Sequence, residues 1–115
     1  MTITLTKVDN TLIALDNNVP VGTILFEKSF NSLYVRQITV ALEYQRQGIG
    51  SRLVEELRSR FPEQGLWGEI LTDYAASFWR KWDKEIPTED IYDWVDNYGT
   101  FDIEPLKNVI KAVTK

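Results

Sequence analysis

Residues Leu42 to Leu57 read Leu-Glu-Tyr-Gln-Arg-Gln-Gly-Ile-Gly-Ser-Arg-Leu-Val-Glu-Glu-Leu, and their interpretation decides the fold of the 115-residue chain. Ahead of them, Tyr34 to Val40 is rich in β-branched and aromatic residues and reads as a strand. Behind them, Ile49, Leu53, Val54, Leu57 and Phe61 recur at the spacing of one helix face. The stretch therefore converts a strand into a helix, with Gly48 and Gly50 at the bend. Glycine has no Cβ, so the backbone can turn tightly there and a ligand can approach the amides. The first four N–H groups of a helix have no partner within it, and the helix dipole places about half a positive charge at the same end. Such a bend is a seat for a phosphate.

Two familiar phosphate loops are excluded by the letters. A dinucleotide fingerprint requires glycine three positions after Gly50, where Leu53 stands, and a P-loop requires Gly-Lys before Ser or Thr, where the chain has Gly50-Ser51-Arg52. The run Gln45-Arg46-Gln47-Gly48-Ile49-Gly50 does fit the pattern Gln/Arg-x-x-Gly-x-Gly/Ala. On that run, and on Ile38 to Tyr44 before it, the chain resembles the GCN5-related N-acetyltransferases (GNAT). The resemblance implies an α/β fold built on a mixed, mainly antiparallel twisted sheet, in which one parallel strand pair splays around acetyl-coenzyme A. It implies that the backbone at Ile38, Thr39 and Val40 pairs with the pantetheine arm. It also implies that the loop from Gln45 through Arg46, Gln47, Gly48, Ile49 and Gly50 to Ser51 takes the pyrophosphate. Thr72, Ala75 and Phe78, on a later helix, match positions the family uses beside the pantetheine.

Composition sets outer bounds. A chain of this length makes one domain, expected over residues 1–115, with a single core. Cysteine and histidine are both absent, which removes disulfides, the usual zinc sites and any histidine-activated nucleophile or histidine base. No metal site is expected. No apolar run approaches a membrane span and the start lacks a signal-peptide pattern, so a cytoplasmic protein with no membrane partner is expected. The net charge of −4 hides an asymmetry: Asp83 to Pro105 holds eight acids and one base, for −7, leaving +3 elsewhere. Anionic coenzyme A suits the part with Arg36, Arg46 and Arg52, and a cationic amine suits the acidic part. Lysine and arginine are neither in excess nor interleaved with aromatics, so no direct nucleic-acid face is expected.

Taken in order, Met1 to Val8, Leu12 to Leu15, Val21 to Lys28 and Leu33 to Ala41 read as four strands. Asp9-Asn10, Asp16 to Pro20 and Asn31-Ser32 read as the turns between them. No helix fits between the first two strands, whereas GNAT members usually carry two there as a wall over the acceptor site. The resemblance thus implies a trimmed member whose site opens onto a broad surface or is closed by a partner subunit. Some small phage anti-CRISPR acetyltransferases are similarly cut down and share Arg46 to Ser51. Pro62 and Gly65 then stop the first helix, Leu66 to Leu71 reads as a fifth strand, and Thr72 to Trp82 as a second helix with Thr72 or Asp73 as N-cap. Ala75, Phe78, Trp79 and Trp82 fall on one face of it.

Trp79 stands where many family members have a tyrosine that protonates the departing thiolate. An indole N–H does not give up its proton near neutral pH, so core packing is the reading for Trp79, with Tyr74 one turn earlier the candidate acid. For a base, Glu69 on the fifth strand is the choice. After Lys84 the family's terminal hairpin is replaced. Thr88 is expected to cap a helix through Ile91, Trp94, Val95 and Tyr98, with Gly99 ending it. Thr100 to Ile103 reads as a strand, and Pro105 opens a last helix with apolar Leu106, Val109, Ile110 and Val113 and lysines at its C-terminal end. The acidic aromatic segment is expected to cover the acceptor site, to make a homodimer contact or to pack as core. Two functional readings stand at this point. One is an acetyl-CoA-dependent N-acetyltransferase acting on a primary amine of a protein or small molecule. The other is a non-catalytic module of the same fold, of the phage-inhibitor type, binding a basic partner through its acidic segment; an acidic decoy that needs no cofactor is a variant of it.

Overall fold

The computed structural model describes residues 2–113, with side chains described through residue 110. Four strands come first: β1 (Ile3–Val8), β2 (Thr11–Asp16), β3 (Val19–Ser29) and β4 (Ser32–Val40). A 3₁₀ turn at Leu42–Tyr44 leads to α1 (Ile49–Arg60), followed by β5 (Gly65–Glu69) and α2 (Asp73–Trp79). The chain continues with α3 (Ile91–Asp96), β6 (Thr100–Ile103) and α4 (Leu106–Val113). The strands form one six-stranded sheet in sequence order, antiparallel except for the β4–β5 pair. This is the mixed sheet the resemblance implies, with no helix between β1 and β2.

Local chemistry explains the meander. Asn17 (φ 49°) and Asn18 (φ 68°) both take left-handed backbone, which a two-residue turn between β2 and β3 requires for its twist to match that of the strands. Pro20, expected in the turn, lies inside β3 opposite Leu15, next to a register shift at Ala14/Leu15. A bulge tolerates the missing N–H.

Alternation then sorts the sheet into two faces. Leu12, Ala14, Ile24, Phe26, Leu33 and Leu66 are buried on one, and α1 lays Ile49, Leu53, Val54 and Leu57 against them. Gly22 permits this approach, since a Cβ there would stand 3.1 Å from Ile49 and 3.3 Å from Leu53. The opposite face has no helix over it among the described residues and carries Tyr34, Arg36, Trp67 and Glu69. Here the missing N-terminal wall becomes visible. Both outer strands are occupied along their edges: Arg52 and Arg60 donate to the carbonyls of Ile3 and Leu5 in β1, and Asp83 accepts from the Asp102 amide in β6 at 2.9 Å.

The second half departs from the sequence reading in four places. Thr72 does cap α2, its hydroxyl accepting from the Ala75 amide at 3.0 Å. The helix nevertheless ends at Trp79 rather than Trp82. Lys81 and Trp82 turn back onto the carbonyls of Phe78 and Trp79, and the Arg80 guanidinium holds the carbonyls of Ile86 and Pro87. It is Ala76 that enters the core with Trp79, while Ala75 and Phe78 are half-buried on an adjoining face. The third helix is not capped by Thr88: it starts at Asp90, in left-handed backbone (φ 53°) with no side-chain cap bond.

Gly99 does not end α3 either. The helix stops at Asp96, and the positive φ falls on Tyr98 (63°). What glycine supplies at position 99 is space, because a Cβ would lie 2.5 Å from the Trp94 ring. Gly99→Ala should therefore lower stability by about 1–3 kcal/mol through overpacking, read from the urea midpoint. The expected strand at Thr100 to Ile103 is present and pairs with β5. For α4, the side chain of Val113 and the lysines at positions 111 and 115 lie outside the described residues. No helix among the described residues is long and apolar enough to cross a membrane.

Candidate active site

The β4–β5 pair is joined at one end and opens toward the other. Ser32, Leu33 and Tyr34 pair with Gly65, Leu66 and Trp67, and beyond Tyr34 the β4 backbone pairs with no strand on that side among the described residues. A cleft of about 600 Å³ occupies the opening, bounded by β4, the bend before α1, and α2. Its volume lies in the range of small-molecule and cofactor pockets.

The bend is shaped by left-handed backbone at Arg46 (φ 65°) and at Gly48 (φ 82°), which is the N-cap of α1. Its glycines have different roles. A Cβ at Gly48 would meet nothing within 4 Å, so that position is glycine for its conformation. Gly50 has ordinary backbone, but a Cβ there would stand 3.1 Å from the Phe78 ring, so it is glycine to let α2 approach. The first helical bond back into the bend is Arg52 N–H to Gly48 O. The amides of Ile49, Gly50 and Ser51 thus have no protein acceptor among the described residues. An anion in the cleft meets unpaired donors and the positive end of a twelve-residue helix.

The residues expected to hold a coenzyme are brought together. Ile38, Thr39 and Val40 of β4, Gln45, Arg46, Gly48, Ile49, Gly50 and Ser51 of the bend, and Thr72, Ala75 and Phe78 of α2 all line the cleft. Gln47 does not line it: its side-chain amide donates to Glu43 O, folding the residue back on the turn. The Gln45 amide donates to Val40 O at 3.1 Å and ties the bend to the end of β4.

Of the two catalytic candidates, Tyr74 lines the cleft, is 65% exposed, and its hydroxyl makes no hydrogen bond among the described residues. Glu69 lies outside the lining, on the sheet face away from α1, where it accepts a bond of 3.3 Å from the Tyr34 hydroxyl. Partial burial first, and the Glu69 charge second, hold the Tyr34 phenol above its ordinary value. Trp79 packs in the core as read: it is 3% exposed and stacks on Phe101 with ring centroids 3.8 Å apart.

Three lining residues escaped the sequence reading as site residues: Trp79, which borders the cleft from the core, Tyr44 and Lys81. Tyr44 donates to Asp16 at 2.7 Å, binding the bend to the end of β2, and this bond is the main reason its phenol titrates above the ordinary value. Its partner is 28 residues away, which no spacing rule can reveal. Lys81 donates to Ser51 Oγ at 2.9 Å from a turn expected to be helix.

The acidic segment forms a second, polar recess of about 310 Å³, lined by Asp83, Glu85, Asp102, Trp94 and Tyr98 among others. Asp83 also has a structural part, accepting from the amides of Glu85 and Asp102. No group of three or more acids able to hold a metal occurs among the described residues.

Comparison with known proteins agrees with this geometry. A family model described as an acetyltransferase (GNAT) domain matches residues 7–83. A GNAT family protein of Streptococcus pneumoniae is 33% identical, with TM-score 0.54, covering 62% of this chain and 56% of that one. A candidate streptothricin acetyltransferase of Bacillus anthracis, solved with acetyl coenzyme A, is 28% identical with TM-score 0.57, covering 62% and 44%. Tetrahymena GCN5, at 17% identity, shares the fold with TM-score 0.66 over 83% of this chain and 67% of its own. No curated protein matches by sequence. The chain spans about half the length of the first solved relatives it matches. With two thirds of its residues inside the family model and the bend, splay and α2 arranged around one cleft, the chain belongs to the GNAT acetyltransferase family.

Proposed function

We propose that this chain is an N-acetyltransferase that uses acetyl-CoA as donor and passes the acetyl group by direct attack of a primary amine. The observation that carries the proposal is one cleft that contains both the unpaired amides at the start of α1 and the unzipped side of β4. The bound coenzyme would supply the activated acetyl thioester. The amides from Arg46 to Ser51 donate to its pyrophosphate, the backbone at Ile38, Thr39 and Val40 offers strand-like pairing to its amide-bearing arm, and Thr72, Ala75 and Phe78 pack the other side. The acetyl-CoA bound to the Bacillus anthracis relative supports this use of the cleft.

An amine acceptor with a pKa near 10.4 must lose a proton before it attacks. Glu69 is the proposed base. It lies two residues beyond Trp67, the last β5 residue paired with β4, on the open sheet face from which an acceptor can reach the splay. Tyr74, with its uncommitted hydroxyl in the cleft, is the proposed donor to the leaving thiolate. The acceptor is a protein lysine, an N-terminus or a small amine, drawn by the acidic recess around Asp83, Glu85 and Asp102. Residues 1–115 act as one unit in this proposal, supported by the pairing of β6 with β5. A cytoplasmic setting and a homodimer belong to it as well.

The burial of Trp79, where a family tyrosine would donate a proton, favours a second reading: a non-catalytic module that keeps coenzyme binding and acts on a basic partner. A free-thiol release assay with a panel of amines and lysine peptides separates the two. Release stimulated by an acceptor is the expected result. Stabilisation by acetyl-CoA in a thermal shift, with no release for any acceptor, would establish the module instead.

A further inference from the structure

The geometry points to Lys81 as the residue that reads the phosphate charge of the coenzyme, a role that rests on the N-acetyltransferase reading above. Lys81 follows the last turn of α2, and its ammonium reaches across the cleft to Ser51 Oγ, 2.9 Å away in the first turn of α1. It is held there over the Phe78 ring, 4.8 Å from the centroid. Gly50, by lacking a Cβ, lets that ring sit against the bend.

No carboxylate neutralises the Lys81 ammonium among the described residues, whereas Arg36 is paired with Glu27, Arg52 donates to the edge of β1 and Arg80 is tied to two carbonyls. Its polar partner is a neutral hydroxyl, which a phosphate oxygen replaces with a shorter, charge-assisted bond. Lys81 and Arg46 are the cations that line the cleft. Because Lys81 sits beside the helix end that offers the free amides, its ammonium and those N–H groups converge on the same anion. Ser51 acts as a parking site that holds the ammonium in position before the coenzyme arrives.

The test is calorimetric titration of the whole chain with coenzyme A, comparing the unmodified protein with Lys81→Met and Lys81→Arg at several salt concentrations. Lys81→Met should weaken binding about tenfold and flatten the dependence of log Kd on log salt, while Lys81→Arg stays within about threefold of the unmodified protein. Binding of Lys81→Met within about twofold of the unmodified protein overturns the inference. So does weaker binding with an unchanged salt slope, which marks a packing role on Phe78. If the unmodified protein itself binds no coenzyme A, the transferase reading falls and takes this one with it.

Discussion

Trp79→Ala should cost about 3–5 kcal/mol of stability, the range for deleting a large aromatic from a packed core. The side chain is 3% exposed, lies flat on Phe101 at 3.8 Å with 9° between the planes, and meets Phe78 edge-on at 5.0 Å. These contacts join α2 to β6, so the loss falls on the link between the two halves of the chain as well as on one helix. Urea unfolding followed by circular dichroism gives the number, and Trp79→Phe should recover most of it. A loss below about 1 kcal/mol would show that the indole is no core element and would reopen a part for it in the site.

Gly48→Val should abolish measurable acetyl-CoA binding while leaving the sheet intact. Left-handed backbone costs an L-residue roughly 1–2 kcal/mol, and a β-branched side chain suffers most. With φ at 82° and no protein atom within 4 Å of the would-be Cβ, the bend relieves the strain by moving into the cleft. The amides of Gly48 to Ser51 then lose their common aim. Each hydrogen bond to a charged group contributes about 1.5–3 kcal/mol, so losing two weakens binding about a hundredfold or more. Titration calorimetry reads the affinity, and far-UV circular dichroism checks the fold. Binding within tenfold of the unmodified protein would mean that the bend is not what grips the coenzyme. Gly48→Asn should fall between the two, since asparagine tolerates the left-handed region better than valine.

The parts legible in the sequence are those governed by short-range rules. Strand alternation, the asparagine turns and the i, i+3, i+4 spacing of Ile49, Leu53, Val54 and Leu57 depend on neighbours within a few residues, and they locate β1 to β4 and α1 to within two residues. The cleft lining was legible because one motif fixes a bend and its flanking elements together. What escaped depends on contacts between distant residues. The true end of α2 is set by Arg80 reaching Ile86 and Pro87, and the start of α3 follows from where that segment is pinned. The choice of Ala76 over Ala75 for the core is a rotation of one residue, which two adjacent alanines cannot signal. Gly99 reads as a helix stop by habit, yet its reason is the Trp94 ring. Glu69 could be assigned to β5 by its letters, but the side of the sheet it faces followed only from the register with β4.

The guanidinium groups on the outer carbonyls of Ile3 and Leu5, and the carboxylate on the amide of Asp102, constrain how these molecules can meet one another. A foreign strand seeking to extend the sheet finds those main-chain positions already satisfied, so annealing into ribbons is disfavoured at either end. In the proposed homodimer, contact is accordingly left to the broad surfaces of the protein rather than to the margins of its sheet.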